Sequence, residues 1–372
     1  MSARAFGRAT PARVAFASAV IAGLVAACSG SGATFPMPGA TNSPAQAASP
    51  VTSILPPASL VASASVSPSP APASLSAPPS ASSPPATSTG TSAPAEGVVV
   101  AWGDDGSGQT DVPKGLNKVI GVAAGDEFSL ALKSDGTVVG WGGEAEETTI
   151  PATVKNVVAI SAGSSFAVAL KADGSIVAWG DNTNGELKVP ANLGKVTQVS
   201  AGGDHALALR VDGTVAAWGS NANGETDVPK GLANVVQVSA GYDFSLALQS
   251  DGTVVAWGDK FPTDAPSGVL KVPAGLKAKY ISAGYYHCLA VTTTGTVVGW
   301  GSNDSGQATS PQISQPVKAV AAGGDFSLAL TEGGLVDSWG GNGSGEATPP
   351  TPANVIAIDA GGAHGLEVVA SN

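Results

Sequence analysis

Cysteine is nearly absent from this 372-residue chain, which has only Cys28 and Cys288. If Cys28 is modified, Cys288 stands alone and no disulfide can form within the chain. Charge is also scarce, at 12% of residues, and its balance of 28 acids against 17 bases leaves a net charge of −11. A field of that sign disfavours nucleic acid as a partner. Histidine occurs three times, at His205, His287 and His364, and no Ser-His-Asp or Cys-His set stands out from the background. Cys288 beside His287 is the nearest approach to a catalytic pair, but adjacent strand residues point to opposite faces. An enzyme is therefore not expected, and neither is a cofactor.

What the chain does have is repetition. All seven tryptophans sit in the dipeptide Trp-Gly, spaced 39, 38, 39, 39, 43 and 39 residues apart from Trp102 to Trp339. A rare residue recurring at one period marks one structural unit used many times. A second register, Ala-Gly, recurs from Gly125 to Gly361 and opens segments such as SAGYDFSLAL.

Composition divides the chain into 1–28, 29–96 and 97–372. The first segment carries Arg4, Arg8 and Arg13, then an apolar run too short for a stable membrane span. Its end, Leu24-Val25-Ala26-Ala27-Cys28, resembles a bacterial lipobox. That resemblance implies cleavage before Cys28, diacylglyceryl modification of its thiol, and a lipid-anchored place on the bacterial cell envelope. Residues 29–96 are Pro, Ser, Ala and Thr with Glu96 as the one charge. They bury too little apolar surface to offset ordering entropy and read as a disordered tether.

Within one repeat, VVQVSAG and FSLALQS read as strands, and Asp251-Gly252 turns the chain into TVVAWG. Asp-Gly between β-rich runs signals a tight hairpin of the primed type. A polar loop then leads to a proline-bearing return, which lacks the donors of a central strand. The ends decide the architecture. VVVAWG at the start is a third strand with no predecessors, and VIAIDAGGAHGLEVV at the end is a first and second strand with no third. Together they make one repeat. The fold expected is an all-β, seven-bladed propeller of three-stranded blades, closed by the N-terminal strand and monomeric.

The pattern Ala-Gly, Leu-Ala-Leu, Asp-Gly and Val-x-x-Trp-Gly resembles the regulator of chromosome condensation repeat family over residues 98–369. Its short units look most like the bacterial branch that includes β-lactamase inhibitor protein II. The resemblance implies protein binding rather than catalysis. It also implies a binding face at the second residue after Ala-Gly, mostly aromatic in that inhibitor. Here those positions hold Glu127, Ser165, Asp204, Asp243, Tyr286, Asp325 and Ala363. Only Tyr286 is aromatic, with Tyr242 and Tyr285 one place earlier, so inhibition of a β-lactamase does not follow from the family alone.

Strand order places the turns after Ala-Gly and the loops after Trp-Gly on one face, and the Asp-Gly turns on the other. The first face collects most of the acids, including Glu147, Glu186, Glu225 and Glu346 from the loops, with Lys260 the one base there. The second carries Lys133, Lys171 and Arg210, with Lys114, Lys118, Lys195 and Lys230 expected beside them. The Asp/Asn/Gly loops lack the alternating-oxygen spacing of a calcium loop, so no metal is expected. The histidines fill a slot that other repeats give to Phe, which makes it a packing position. The candidate site is Tyr242, Asp243, Phe261, Tyr285, Tyr286, Asp204, Asp325 and Glu127, facing a protein partner with a basic surface. Membrane contact is expected through the lipid anchor alone. Two alternatives remain at this level. One is a cell-envelope enzyme with a site in the central channel, where Gln198 and Gln237 stand out among five inner strands. The other is a passive scaffold or adhesin.

Overall fold

The computed structural model describes residues 94–259, 268–350 and 352–371. The chain separates into units Met1–Ala71 and Pro72–Asn372, and the described residues belong to the second. Cys28, the tether up to residue 93, Lys260 and Phe261 lie outside them.

Each repeat forms three antiparallel strands. Blade one consists of Val119–Ala124, Phe128–Lys133 and Val138–Gly142, from inner to outer strand. Blades two to six repeat this from Val157, Val196, Val235, Ala278 and Val317. Blade seven takes Val355–Ala360 and His364–Ala370 from the end of the chain. Gly97–Gly103 completes it, pairing in seven-residue register from Gly97 opposite Ala370 to Gly103 opposite His364. The two sequence fragments therefore make one sheet, and seven blades result. The proline-bearing returns form no strand.

Tryptophan recurs because it clamps blade to blade. Every indole Nε1–H donates to a backbone carbonyl in the loop that follows the preceding blade. Trp141 reaches Gln109, Trp179 reaches Glu147, Trp218 reaches Glu186 and Trp257 reaches Glu225, at 2.7–2.9 Å. Trp300 reaches Val269 and Trp339 reaches Gln307. Trp102 reaches Glu346 at 2.8 Å and closes the ring. Each clamp satisfies a buried donor that would otherwise cost about 1–3 kcal/mol. Apolar faces meet between blades as well: Phe166, Val168 and Leu170 of blade two pack with Val196, Val199 and Ala206 of blade three.

The histidine slot is a second clamp. His205 Nε2 lies 2.9 Å from Ser245 Oγ, His287 Nε2 2.8 Å from Ser327 Oγ, and His364 Nε2 3.0 Å from Ser129 Oγ, each in the next blade. Those hydroxyls donate to Glu225, Gln307 and Gln109 carbonyls, so each accepts from a ring protonated at Nε2. Where the slot holds Phe128, Phe166, Phe244 or Phe326, the following blade offers Ala167, Ala206, Cys288 or Gly365 instead. His pairs with Ser, and Phe with a residue that asks for no such partner.

The structure corrects two local expectations. The Asp-Gly turns are not primed: at Ser134-Asp135-Gly136 the positive φ belongs to Gly136 alone, at 76°. Gly136 N–H donates to Lys133 O, as in a type I turn followed by a glycine bulge. The reason is the aspartate, whose Oδ1 accepts from Thr137 N at 3.0 Å and Thr137 Oγ1 at 2.6 Å and fixes its own backbone. The loop after Trp141, expected as a polar loop like the others, winds into one helical turn, Ala145–Thr148. There the Glu147 carboxylate accepts Glu144 N–H at 2.6 Å.

Candidate binding face and central channel

The turns after Ala-Gly and the loops after Trp-Gly share one face. Their backbones are joined by bonds such as Ser220 N to Asp204 O and Ser302 N to Tyr286 O. On this face Tyr242, Tyr285 and Tyr286 form one cluster, with ring centroids 5.1, 5.8 and 6.4 Å apart. Tyr286 is the most exposed of them, at 38%. The tyrosines of two adjacent blades thus meet as one patch, as their spacing suggested, while Phe261 lies outside the described residues.

Tyr285 does more than line the face. Its hydroxyl donates to the Asp126 carboxylate across the ring, from blade five to blade one. Glycine makes the crossing possible, since a Cβ at Gly362 would lie 2.8 Å from the Tyr285 hydroxyl. Tyr285 and Asp126, with Tyr242, line the channel mouth around about 60 Å³. Burial of the ring holds its hydroxyl well above the usual range, helped by the Asp126 charge.

Acids around the cluster are held in tension. Burial raises the Asp204 carboxyl, and repulsion from Glu186, Asp181, Asp126 and Glu225 adds to it. Burial likewise raises Asp243, with Glu225, Asp204 and Asp259 pushing the same way against a bond from Asn223. Asp126 is raised by burial despite its bonds from Tyr285 and Ser164. Exposed Asp325 accepts from Gln307 Nε2 at 3.2 Å, and exposed Glu127 accepts from Ser107 Oγ at 2.9 Å. Positive charge brought here would relieve like-charge repulsion.

Four acids assigned to this surface from the sequence are not part of it. Glu147, Glu186, Glu225 and Glu346 are 1–8% exposed. Glu186 takes Asn184 N–H at 2.9 Å, Glu225 takes Asn223 N–H at 2.7 Å, and Glu346 takes Ser344 N–H at 2.7 Å. They brace loops from inside, and Gln109 and Gln307 do the same without charge. Loop composition does not reveal which side chains fold back onto their own backbone. The platform is narrower than its acid count suggests.

The opposite rim differs. Lys133 pairs with Asp135 at 3.4 Å, Lys171 with Asp173 at 3.5 Å and Lys277 with Asp251 at 3.1 Å. The turn aspartates sit below their ordinary values, led by bonds from the following Thr or Ser, and Asp251 falls to about 2.

Inside the channel, Gln198 and Gln237 bind the next blade's backbone. Gln198 pairs with Val238 N and O, and Gln237 with Ile281 N and O, at 2.8–3.1 Å. Cys288 is buried, and burial pushes its thiol well up. Among the described residues no group of three or more His, Cys, Asp or Glu is placed to hold a metal ion. The inner strand VIAIDA of blade seven departs from the other inner strands at one position. Asp359 stands where blades two to five have Ser161, Ser200, Ser239 and Ser282.

The repeat description "Regulator of chromosome condensation (RCC1) repeat" matches residues 119–145, 157–186, 196–225, 235–259, 278–307 and 317–346. No curated protein sequence matches the chain. Among solved structures, Prp20p from Saccharomyces cerevisiae, described with its binding to Gsp1p and histones, is similar with a TM-score of 0.63. It is 19% identical over 76% of this chain and 93% of its own. The complex of Kap60 with yeast RCC1 (Prp20) gives a TM-score of 0.60 at 20% identity, covering 75% of this chain and 90% of that one. Human WBSCR16 gives 0.59 at 20% identity, covering 73% and 98%. At these identities the likeness shows the fold. With six matched repeats and a seventh assembled from the two ends of the repeat region, the chain belongs to the regulator of chromosome condensation repeat family.

Proposed function

We propose that the propeller is a non-catalytic protein-binding head, held to the bacterial cell envelope by lipid on Cys28. Its binding face carries Tyr242, Tyr285, Tyr286, Asp204, Asp243, Asp325 and Glu127. The observation that carries this reading is the packed tyrosine cluster among carboxylates raised by burial and mutual repulsion. Clustered tyrosines supply desolvated contact, and unrelieved negative charge selects a basic partner surface. Similar propellers whose descriptions name protein partners support the class of function. The rival reading, an envelope hydrolase in the channel, finds its two glutamines committed to interblade backbone bonds.

Two experiments test the parts separately. Cys28→Ser moves the protein from the membrane to the soluble fraction if the anchor exists, and unchanged fractionation refutes it. Capture from envelope extract is compared between wild type and Tyr286→Ala by quantitative mass spectrometry. The binding reading expects one stoichiometric basic partner, depleted on the variant. A passive scaffold yields none, or a set that the variant leaves unchanged.

A further inference from the structure

The residue before each Ala-Gly lies on the channel wall, and in blades two to five it is serine with one task. Ser161 Oγ accepts Ala201 N–H, Ser200 accepts Ala240, Ser239 accepts Ala283 and Ser282 accepts Ala322, at 2.9–3.0 Å. In blade seven Asp359 Oδ2 does the same for Ala124 N at 2.8 Å. Blades one and six have Ala123 and Ala321 in this place. The joint therefore needs a single oxygen at most, and serine supplies it. The charge of Asp359 is surplus to that joint.

That surplus faces a defined space. Asp359, the four serines and the alanine ring, including Ala201 and Ala283, line a space of about 60 Å³ in the channel. The Tyr285–Asp126 bond spans the mouth on the tyrosine side. Each serine oxygen gives one lone pair to an amide, leaving its second lone pair and its proton for the chamber. Burial pushes the Asp359 carboxyl up to about 8, opposed by the Ala124 and Ala360 amides, and no basic side chain contributes. A carboxylate in such a place is compensated by a proton or by a cation.

We propose that this chamber binds a small monovalent cation, with Asp359 as the charged ligand and the hydroxyls of Ser161, Ser200, Ser239 and Ser282 completing an oxygen shell directly or through water. The class follows from the donors. All are hard oxygens, which suit main-group cations. One negative charge matches one positive charge, and no imidazole, thiolate or second carboxylate is present to hold a transition metal. The site is independent of the protein-binding face.

Thermal melting of the full chain at about pH 9, where the carboxylate is charged, tests it in sodium, potassium and ammonium chloride. N-methylglucamine chloride, too large to enter, holds the ionic strength constant. The expected result is a saturating rise with one of the small cations. It reaches about 5 °C at a hundredfold excess over the dissociation constant, and is lost in Asp359→Ser and in the isosteric Asp359→Asn. Thallium(I) soaked into crystals should give an anomalous peak against Asp359. Identical melting in all four salts, the same cation response in both variants, or thallium found only elsewhere would overturn the site.

Discussion

The two rims of the propeller use aspartate in opposite ways. At the Asp-Gly turns, Asp135, Asp173, Asp212 and Asp251 are bound by the Thr or Ser two residues on, and three of them lie against Lys; all are held below their ordinary values. On the tyrosine face, Asp126, Asp204 and Asp243 sit above theirs, partly desolvated and pushed by neighbouring carboxylates. The first set completes the fold; the second is a cost that folding alone does not repay. Carboxylates left in tension beside exposed aromatics are where a partner gains most.

Interior groups dominate the pH response, so removing them sharpens the comparison. His205, His287 and His364 are lowered to about 4 by burial. Their contribution is complete above about pH 6.5 and is lost as pH falls toward 4, at up to about 3 kcal/mol per histidine. Urea midpoints at pH 7 and pH 5 should show this loss. A His205→Phe, Ser245→Ala double variant, which copies the Phe166–Ala206 joint, should flatten its share. The single His205→Phe should be less stable than the double.

Glu367 works in the other direction. It occupies a slot that six blades give to Ala131, Ala169, Ala208, Ala247, Ala290 and Ala329. It is fully buried, with neither carboxylate oxygen partnered, and burial pushes it up to about 8. Its neutral form is tolerated below the unfolded pKa near 4, and stability drains away as pH rises through 8. Glu367→Ala should stabilise the protein by about 2–4 kcal/mol at pH 8 and far less at pH 5, read from denaturant midpoints.

The rims themselves give smaller effects. Tyr286→Ala should weaken a captured partner by about 2 kcal/mol, mainly through faster dissociation in surface plasmon resonance. Asp204→Asn should raise the melting temperature slightly at pH 7 by relieving repulsion. Asp251→Asn should lower it, and that loss should vanish as the solution is acidified through pH 2.

Architecture was legible because it is written in rare residues: tryptophan marked every blade, and the complementary end fragments marked the closing one. The meeting of Tyr242, Tyr285 and Tyr286 followed from their places in adjacent repeats. What misled was side-chain direction. Glu186 and Glu225 belong to polar loops by composition, yet they fold inward to bind their own amides. The His–Ser pairing could have been read, since each histidine is matched by serine one position further on in the next repeat, but it needs comparison between blades rather than within a column. Asp359 is harder to see because it stands two places beyond the column of Gln198 and Gln237, where the other inner strands hold serine or alanine.

The claim that the tyrosine face is the working face is tested most directly by one binding measurement on variants of both rims. The partner captured by wild type is titrated against Tyr242→Ala/Tyr286→Ala and against Lys133→Ala/Lys171→Ala, with circular dichroism confirming the fold of each. Affinity should fall about 30-fold or more in the first variant and stay within about twofold in the second. Loss confined to the lysine variant, or equal affinity in all three proteins, would contradict the account.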